Sequence, residues 1–138
     1  EGRQQTIYWS AFDGKAFSPP VVAPFAAESG NGGPAFSPDG RRLFFNVEIS
    51  GPDATSPKTM AIAFVERSGS GWTKPVQIES TIDTQITKGQ VSVARSGNIY
   101  FSGRVLTERA PAIFISRFAD GKYSPPEKLT GPSLKFPF

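Results

Sequence analysis

Two carboxylates in this sequence are of the residue type that glycoside hydrolysis uses, while the distance between them is not fixed by the sequence. Glu28 and Asp83 occupy related positions in two units of an internal repeat, so their side chains can approach each other between neighbouring units. Two Asp or Glu residues that converge on one cleft can cleave a glycosidic bond, one as acid and the other as base or nucleophile. Without a second feature that points to hydrolysis, we interpret both carboxylates as binding residues and predict no catalytic residue in this chain.

The same two stretches, residues 28–33 and 83–90, carry further polar side chains on a glycine-containing backbone. This composition suits a ligand-binding loop, and an ordinary solvated loop would share it. The glycines of residues 30–33 do not form a phosphate loop, because no helix follows to supply an N-terminal dipole. The remaining candidate binding residues are Asn31, Gln85, Lys88 and Gln90.

The chain contains no cysteine and no histidine. This excludes disulfides, thiolate metal sites, histidine-ligated zinc, a cysteine nucleophile and a Ser-His-Asp triad. The serines also lack the Gly-x-Ser-x-Gly pattern that exposes a hydrolase nucleophile. We therefore expect neither a metal nor another cofactor.

Composition favours an all-β protein. The 138 residues include 14 glycines, 13 prolines and 12 phenylalanines, with no long stretch of helical periodicity. The net charge is +3, and Lys and Arg alternate with Asp and Glu rather than forming a basic stripe, so we do not expect nucleic-acid binding. No apolar run is long enough to span a membrane.

One phrase occurs three times: an aromatic residue, Ser or Thr, any residue, Pro, two further residues and an apolar residue. It occupies residues 17–23, 72–78 and 123–129, and its aromatic residues are 55 and 51 positions apart. A repeat of about 40–50 residues is typical of a propeller blade. The proline favours an outer edge strand, where a missing N–H costs little.

Two hairpins and a further strand complete the repeat. Turns at Asp39-Gly40 and Ser96-Gly97 each lead into an apolar strand, and we assign Asp39 to the turn rather than to a ligand. Apolar strands at residues 7–10, 62–65 and 113–116 hold equivalent places. Residues 46–59 are predicted to form a long surface loop, and the large aromatic residues, Trp9 and Trp72 among them, to pack between units.

These elements predict antiparallel four-stranded units, with strands lettered A to D from the inside outward. The chain reads as strands C and D in a half unit (6–27), then A to D in a first full unit (33–80) and a second full unit (89–131). The predicted fold is a single partial β-propeller domain of about two and a half blades, spanning residues 1–138. A closed propeller typically needs four to eight blades, so we expect either a piece of a longer protein or units covered by other copies.

The stretch AFSPDGRRLFF at residues 35–45 resembles the TolB-type, WD40-like propeller repeat of bacteria. Residues 90–101 resemble a divergent copy, with Arg95-Ser96 in place of Pro-Asp. The resemblance implies a propeller in a periplasmic or extracellular protein, and it leaves the activity open, because this fold serves many functions.

We expect a binding or scaffolding module that recognises a protein or a small ligand through its channel-side loops. The alternative is the propeller portion of a hydrolase, either a prolyl oligopeptidase-like peptidase or a glycosidase, whose catalytic residues lie outside this chain. A third expectation is self-association through exposed blade faces. Because the chain begins with Glu1 rather than Met, we also expect that an upstream segment has been removed.

Overall fold

The computed structural model describes residues 5–26, 31–49, 53, 58–83 and 85–131, and in these residues the chain is all-β with one short 3-10 helix, Glu79–Thr81. Every strand pairing is antiparallel. The strands are β1 (Tyr8–Trp9), β2 (Val21–Val22), β3 (Asn31–Phe36), β4 (Arg42–Ile49), β5 (Thr59–Ser68), β6 (Gly71–Trp72), β7 (Val76–Gln77), β8 (Ile86–Val93), β9 (Ile99–Val105), β10 (Ala112–Ser116), β11 (Phe118–Ala119), β12 (Lys122–Tyr123) and β13 (Glu127–Lys128).

The sheets follow the predicted strand order, and they do not close into a barrel. In the half unit β1 pairs with β2. In the first full unit the order is β3-β4-β5, with β6 and β7 both paired to β5. In the second full unit the order is β8-β9-β10-β13, and β11 and β12 form a separate short hairpin. The arrangement is consistent with part of a propeller, with strands A to D in each full unit.

The turns between strands A and B form as the glycines predict. The Gly40 N–H donates to the Ser37 carbonyl at 2.8 Å, and the Gly97 N–H donates to the Ala94 carbonyl at 2.9 Å. Gly40 has φ 68° and Gly97 has φ 88°. Residues other than glycine rarely adopt this backbone conformation. Glycine therefore allows each chain to reverse sharply between its two strands.

The hydroxyl of the repeated phrase is a structural hydrogen-bond acceptor. In each unit it accepts from a backbone N–H seven residues earlier, at 3.0 Å, which ties the start of strand D to the end of strand C. The pairs are Ser18 with Ala11, Thr73 with Glu66, and Ser124 with Arg117. The Ser or Thr of the phrase is thereby explained by the fold rather than by chemistry at a site.

Strands C and D pair in the same register in all three units. The opposed residues are Tyr8 and Val22, Ala63 and Gln77, and Phe114 and Lys128. This register matches the equivalence of the three C strands that the sequence predicts. Corresponding positions can therefore be compared across units.

Both faces of the first full unit are buried. Adjacent residues of a strand point to opposite faces of its sheet, and β4 buries Leu43 and Phe45 on one face and Phe44 on the other. The first face packs against Ile7 and Phe25 of the half unit. Burying each such side chain contributes about 1.5–3 kcal/mol. Because it is buried on both faces, the first full unit is the centre of the described structure.

The second full unit covers the other face of the first. Phe44 and Ile62 pack there with Ile99, Phe101 and Phe114. Phe101 and Phe114 stack with ring centroids 5.4 Å apart. The two full units thus share one apolar layer.

Two sequence predictions about packing were partly wrong. Residues 46–49 belong to strand β4 and Thr59 belongs to strand β5, so the predicted loop is shorter at both ends; Val47 is buried in the layer against the half unit. Trp72 packs as predicted, edge-on to Phe25 with centroids 5.8 Å apart, but Trp9 is half-exposed. The large apolar side chains of the half unit that are at least half-exposed are Tyr8, Trp9, Phe12, Phe17, Val21 and Val22.

Within the described residues, no helix has the length and apolar character that crossing a bilayer would need.

Candidate functional site

The sequence predicts connections between strands D and A at residues 28–33 and 83–90, but β3 begins at Asn31 and β8 at Ile86, so Lys88 and Gln90 lie in a strand rather than in a connection. Glu28 falls outside the described residues, as does its predicted approach to Asp83, and Asn31 begins β3, with its side chain outside the described set. Asp83 caps its own connection, because its Oδ1 accepts the Gln85 N–H at 2.7 Å. This contact is a local turn of the kind that Asp commonly forms.

Lys88 is buried, and its side chain hydrogen-bonds the backbone of this connection. Its Nζ donates to the backbone carbonyls of Asp83 and Ile86, both at 2.8 Å. Burial lowers the pKa of Lys88, and the negative charge of Asp83 opposes that shift. The structure therefore brings Lys88 and Asp83 together, but it uses the ammonium group to satisfy backbone carbonyls of the connection.

Gln90 lies at an irregularity of β8, where the pairing register with β9 shifts between Lys88 and Val91. Its backbone N–H donates to the Ser102 Oγ at 3.0 Å, and its side chain is exposed. The side chain can therefore reach solvent or a ligand, and the assignment of Gln90 to binding stays a prediction.

A groove of about 690 Å³ lies at the opposite end of the units. Its two rims are the turns between strands A and B, residues 37–42 of the first full unit and residues 93–97 of the second. The hairpin of β11 and β12 contributes Phe118 and Tyr123, and Phe44 lines its interior. Its volume is within the range of 300–1,000 Å³ that is usual for ligand pockets, and none of the candidates named above lines it.

Asp39 is a turn residue, as predicted from the sequence. Its Oδ1 accepts from the Ser37 hydroxyl at 2.6 Å and from the Arg41 backbone N–H at 3.0 Å. These contacts lower the pKa of Asp39, the Ser37 hydroxyl most and the Arg41 N–H next. The carboxylate is therefore ionised and already has partners on the first rim.

The other carboxylate of the groove is also paired. Glu66 Oε1 lies 2.7 Å from Arg42 Nε. The Arg42 guanidinium lies 4.9 Å from the centroid of the Phe64 ring, and its positive charge acts on the nearby Tyr123 hydroxyl. Burial raises the pKa of Tyr123, which Arg42 partly offsets, so the phenol is neutral at physiological pH. Arg42 and Glu66 are therefore held by each other in an ion pair.

An aromatic wall positions the far side of the groove. Tyr123 lies 4.8 Å from Phe118 and 6.3 Å edge-on from Phe44, measured between ring centroids. The Phe118 N–H donates to Asn98 Oδ1 at 2.9 Å, and a Cβ on Gly97 would lie only 2.9 Å from the Phe118 ring. The close approach of the second rim to this ring therefore requires glycine.

Two arginines remain available on the rims. Arg41 and Arg95 are exposed and line the groove, and no ion pair joins either guanidinium to a described residue. The groove has three arginines against two carboxylates, a formal net charge of +1. Its two unpaired groups are cations at opposite rims, and its interior is partly apolar.

The groove lies between two A–B turns that the sequence predicts only as turns. Aligning the two units places an arginine beside each turn, Arg41 after Gly40 and Arg95 before Gly97. The sequence signal for the groove is the replacement of Pro-Asp by Arg95-Ser96, which places a second arginine beside a turn.

Metal chemistry has no ligand set in the described part of the chain, which contains no group of three His, Cys, Asp or Glu residues placed to hold an ion. No protein-family model, curated protein or solved structure matches this chain.

Proposed function

We propose that this chain is a non-catalytic binding module, part of a TolB-like β-propeller from a bacterial envelope or secreted protein, that recognises a protein or a small ligand. One observation carries the proposal: a groove of ligand size between two units, with two exposed arginines and no unpaired acid or base positioned for proton transfer among its described residues. An efficient general base has a pKa near the operating pH, whereas hydrogen bonds lower the pKa of Asp39. In this groove both carboxylates are occupied by internal contacts.

The proposal moves the expected binding surface from the D–A connections to the A–B turns. Lys88, the most buried candidate at the D–A end, is engaged by two carbonyls. The arginines at the A–B end project from turns whose backbone is fixed by Gly40 and Gly97. A rigid scaffold that presents free polar groups is the usual arrangement of a binding site.

A fragment screen read by amide NMR tests the proposed function. The ¹⁵N-labelled protein is titrated with anionic, neutral and cationic fragments, and the amides of Gly40, Gly97 and Phe118 report on the groove. We expect perturbations to cluster on these amides, with those of Gln85 and Gln90 unaffected. Perturbations confined to the D–A end would transfer the site there, and no saturable perturbation by any fragment class would overturn the binding function.

We also propose self-association through an exposed face of the second full unit. The pairing registers align three residues of this face with three residues of the first full unit. Those three residues of the first full unit are buried where the second full unit packs on it. The partly exposed residues are Tyr100, Ser102 and Ile113, and their buried counterparts are Phe44, Asn46 and Ile62. Light scattering across a concentration series should show a discrete oligomer that Tyr100→Glu dissociates. A monomer mass at every concentration would refute this.

A further inference from the structure

We propose that the groove between the A–B turns binds an acidic peptide segment in an extended conformation. One carboxylate pairs with Arg41, a second pairs with Arg95, and an apolar side chain between them lies against Phe118 and Tyr123. This inference rests on the proposed function and adds the chemical class of the ligand.

Both carboxylates of the groove accept internal hydrogen bonds, and the charge of Glu66 is also balanced by Arg42. Asp39 is held by Ser37 and by the Arg41 backbone, and Glu66 is held by Arg42. An incoming cation would be repelled by the two unpaired guanidinium groups and by the formal net charge of +1, although the exposed Asp39 keeps its negative charge. An incoming carboxylate would meet the reverse, because a guanidinium offers paired N–H donors that match the two oxygens of a carboxylate.

The space between the two rims is lined in part by apolar side chains. Phe118 and Tyr123 are neither buried nor fully exposed, and they form a tilted pair that faces the groove together with Val93 and Ala94. The Tyr123 ring lies 4.8 Å from the Phe118 ring, measured between centroids, and both rings line the groove with apolar surface. Aromatic side chains that are partly exposed in a groove commonly anchor an apolar group of a partner.

Size and charge distribution favour a peptide over the other anions. A cavity of about 690 Å³ is larger than a lone carboxylate or phosphate needs. A nucleic acid would require a continuous basic track, whereas this chain has a net charge of +3 with acidic and basic residues interspersed. A segment with two acidic residues around one apolar residue uses both rims and the aromatic wall at once.

Fluorescence anisotropy with defined peptides tests the inference. The probes are fluorescein-labelled peptides in which one, two or three residues, including one Phe, separate two glutamates; their controls carry glutamine instead of glutamate. We expect saturable binding of at least one glutamate peptide and about tenfold weaker binding of its glutamine control. The variants Arg41→Gln and Arg95→Gln should each weaken binding about tenfold, which corresponds to 1.4 kcal/mol.

Arg104→Gln is the matched control, because Arg104 is exposed on β9, is not a lining residue of the groove and has no ion pair with a described residue. It should bind the peptide like the unaltered protein. Equal weakening by all three variants would reduce the effect to net charge and overturn the inference. No saturable binding of any glutamate peptide, or displacement of the peptide by a single-stranded oligonucleotide at equal concentration, would overturn it too.

The peptide assay and the fragment screen fail separately. If neutral or cationic fragments perturb Gly40 and Gly97 while the glutamate peptides do not bind, the groove is a binding site and the ligand class is wrong. If no fragment of any class perturbs these amides and no peptide binds, the proposed function itself fails.

Discussion

Replacement of Thr81 by valine should be among the most destabilising single changes that preserve side-chain shape. Thr81 is completely buried below β5. Its Oγ1 accepts the Ile62 N–H at 3.0 Å and donates to the Ile78 carbonyl at 2.7 Å. Valine keeps the branched shape and removes both hydrogen bonds.

The magnitude follows from which partner is left unpaired. The Ile78 carbonyl keeps a second donor, because the Thr81 backbone N–H also donates to it at 2.9 Å. The Ile62 N–H loses its acceptor inside the core, which costs about 1–3 kcal/mol, and the donated bond contributes about 1 kcal/mol. We therefore expect Thr81→Val to lower the free energy of unfolding by about 3 kcal/mol.

Thr81→Ser is the matched control, since it keeps the hydroxyl and removes one methyl group, at about 1 kcal/mol. The valine variant should still fold: in the half unit the Ala26 N–H donates to the Ala23 carbonyl at 2.9 Å, as Thr81 does to Ile78, with no hydroxyl present. The turn itself therefore does not depend on the side-chain bonds.

Urea unfolding followed by tryptophan fluorescence measures the difference. For a slope of about 2 kcal/mol per molar urea, a loss of about 3 kcal/mol moves the midpoint down by roughly 1.5 M. Thr81→Ser should move it by about a third as much. A valine midpoint no lower than the serine midpoint would refute the assignment of the hydroxyl as the partner of the Ile62 amide.

Three further predictions concern the backbone and one buried charge. Gly89→Ala should lower the urea midpoint, because its Cβ would lie 2.5 Å from Ser102 Oγ; Gly71→Ala should leave it unchanged, the nearest atom being 3.8 Å away, and equal midpoints would contradict this. Gly40→Val should cost about 1–3 kcal/mol at φ 68°, and an unchanged midpoint would count against the turn. Because burial lowers the Lys88 pKa, the folded protein loses this proton at lower pH than the unfolded chain, so its stability should rise with pH just below the ordinary value of about 10.4. Lys88→Met should abolish that rise, and a persisting rise would assign it to another group.

The strand order was predictable because its determinants are local. Ser18, Thr73 and Ser124 each bind a backbone N–H only seven residues away, so the repeated phrase contains both the bond and its geometry. Gly40 and Gly97 likewise act within a single turn. Such interactions lie inside a short window of sequence and recur with the repeat.

Burial was less predictable, because it depends on which strands lie beside a residue. The register places Trp9 at the position of Phe64 in the first full unit. Phe64 packs on Phe44 of β4, with ring centroids 5.6 Å apart. The described part of the half unit has no strand at the place of β4, so Trp9 remains half-exposed although its sequence position is equivalent.

The groove escaped the sequence because no single segment contains it. The groove takes Arg41 and Arg95 from the two A–B turns and Tyr123 from strand β12. Only the packing of two units brings these residues together. The chemistry that separates the two ends of the units is then simple. At the D–A end the buried Lys88 donates hydrogen bonds to carbonyls of the neighbouring connection. At the A–B end both carboxylates accept internal hydrogen bonds, and Arg41 and Arg95 form no ion pair with a described residue. Because the groove carries a net positive charge and exposes an arginine on each rim, the partner proposed for that end is anionic.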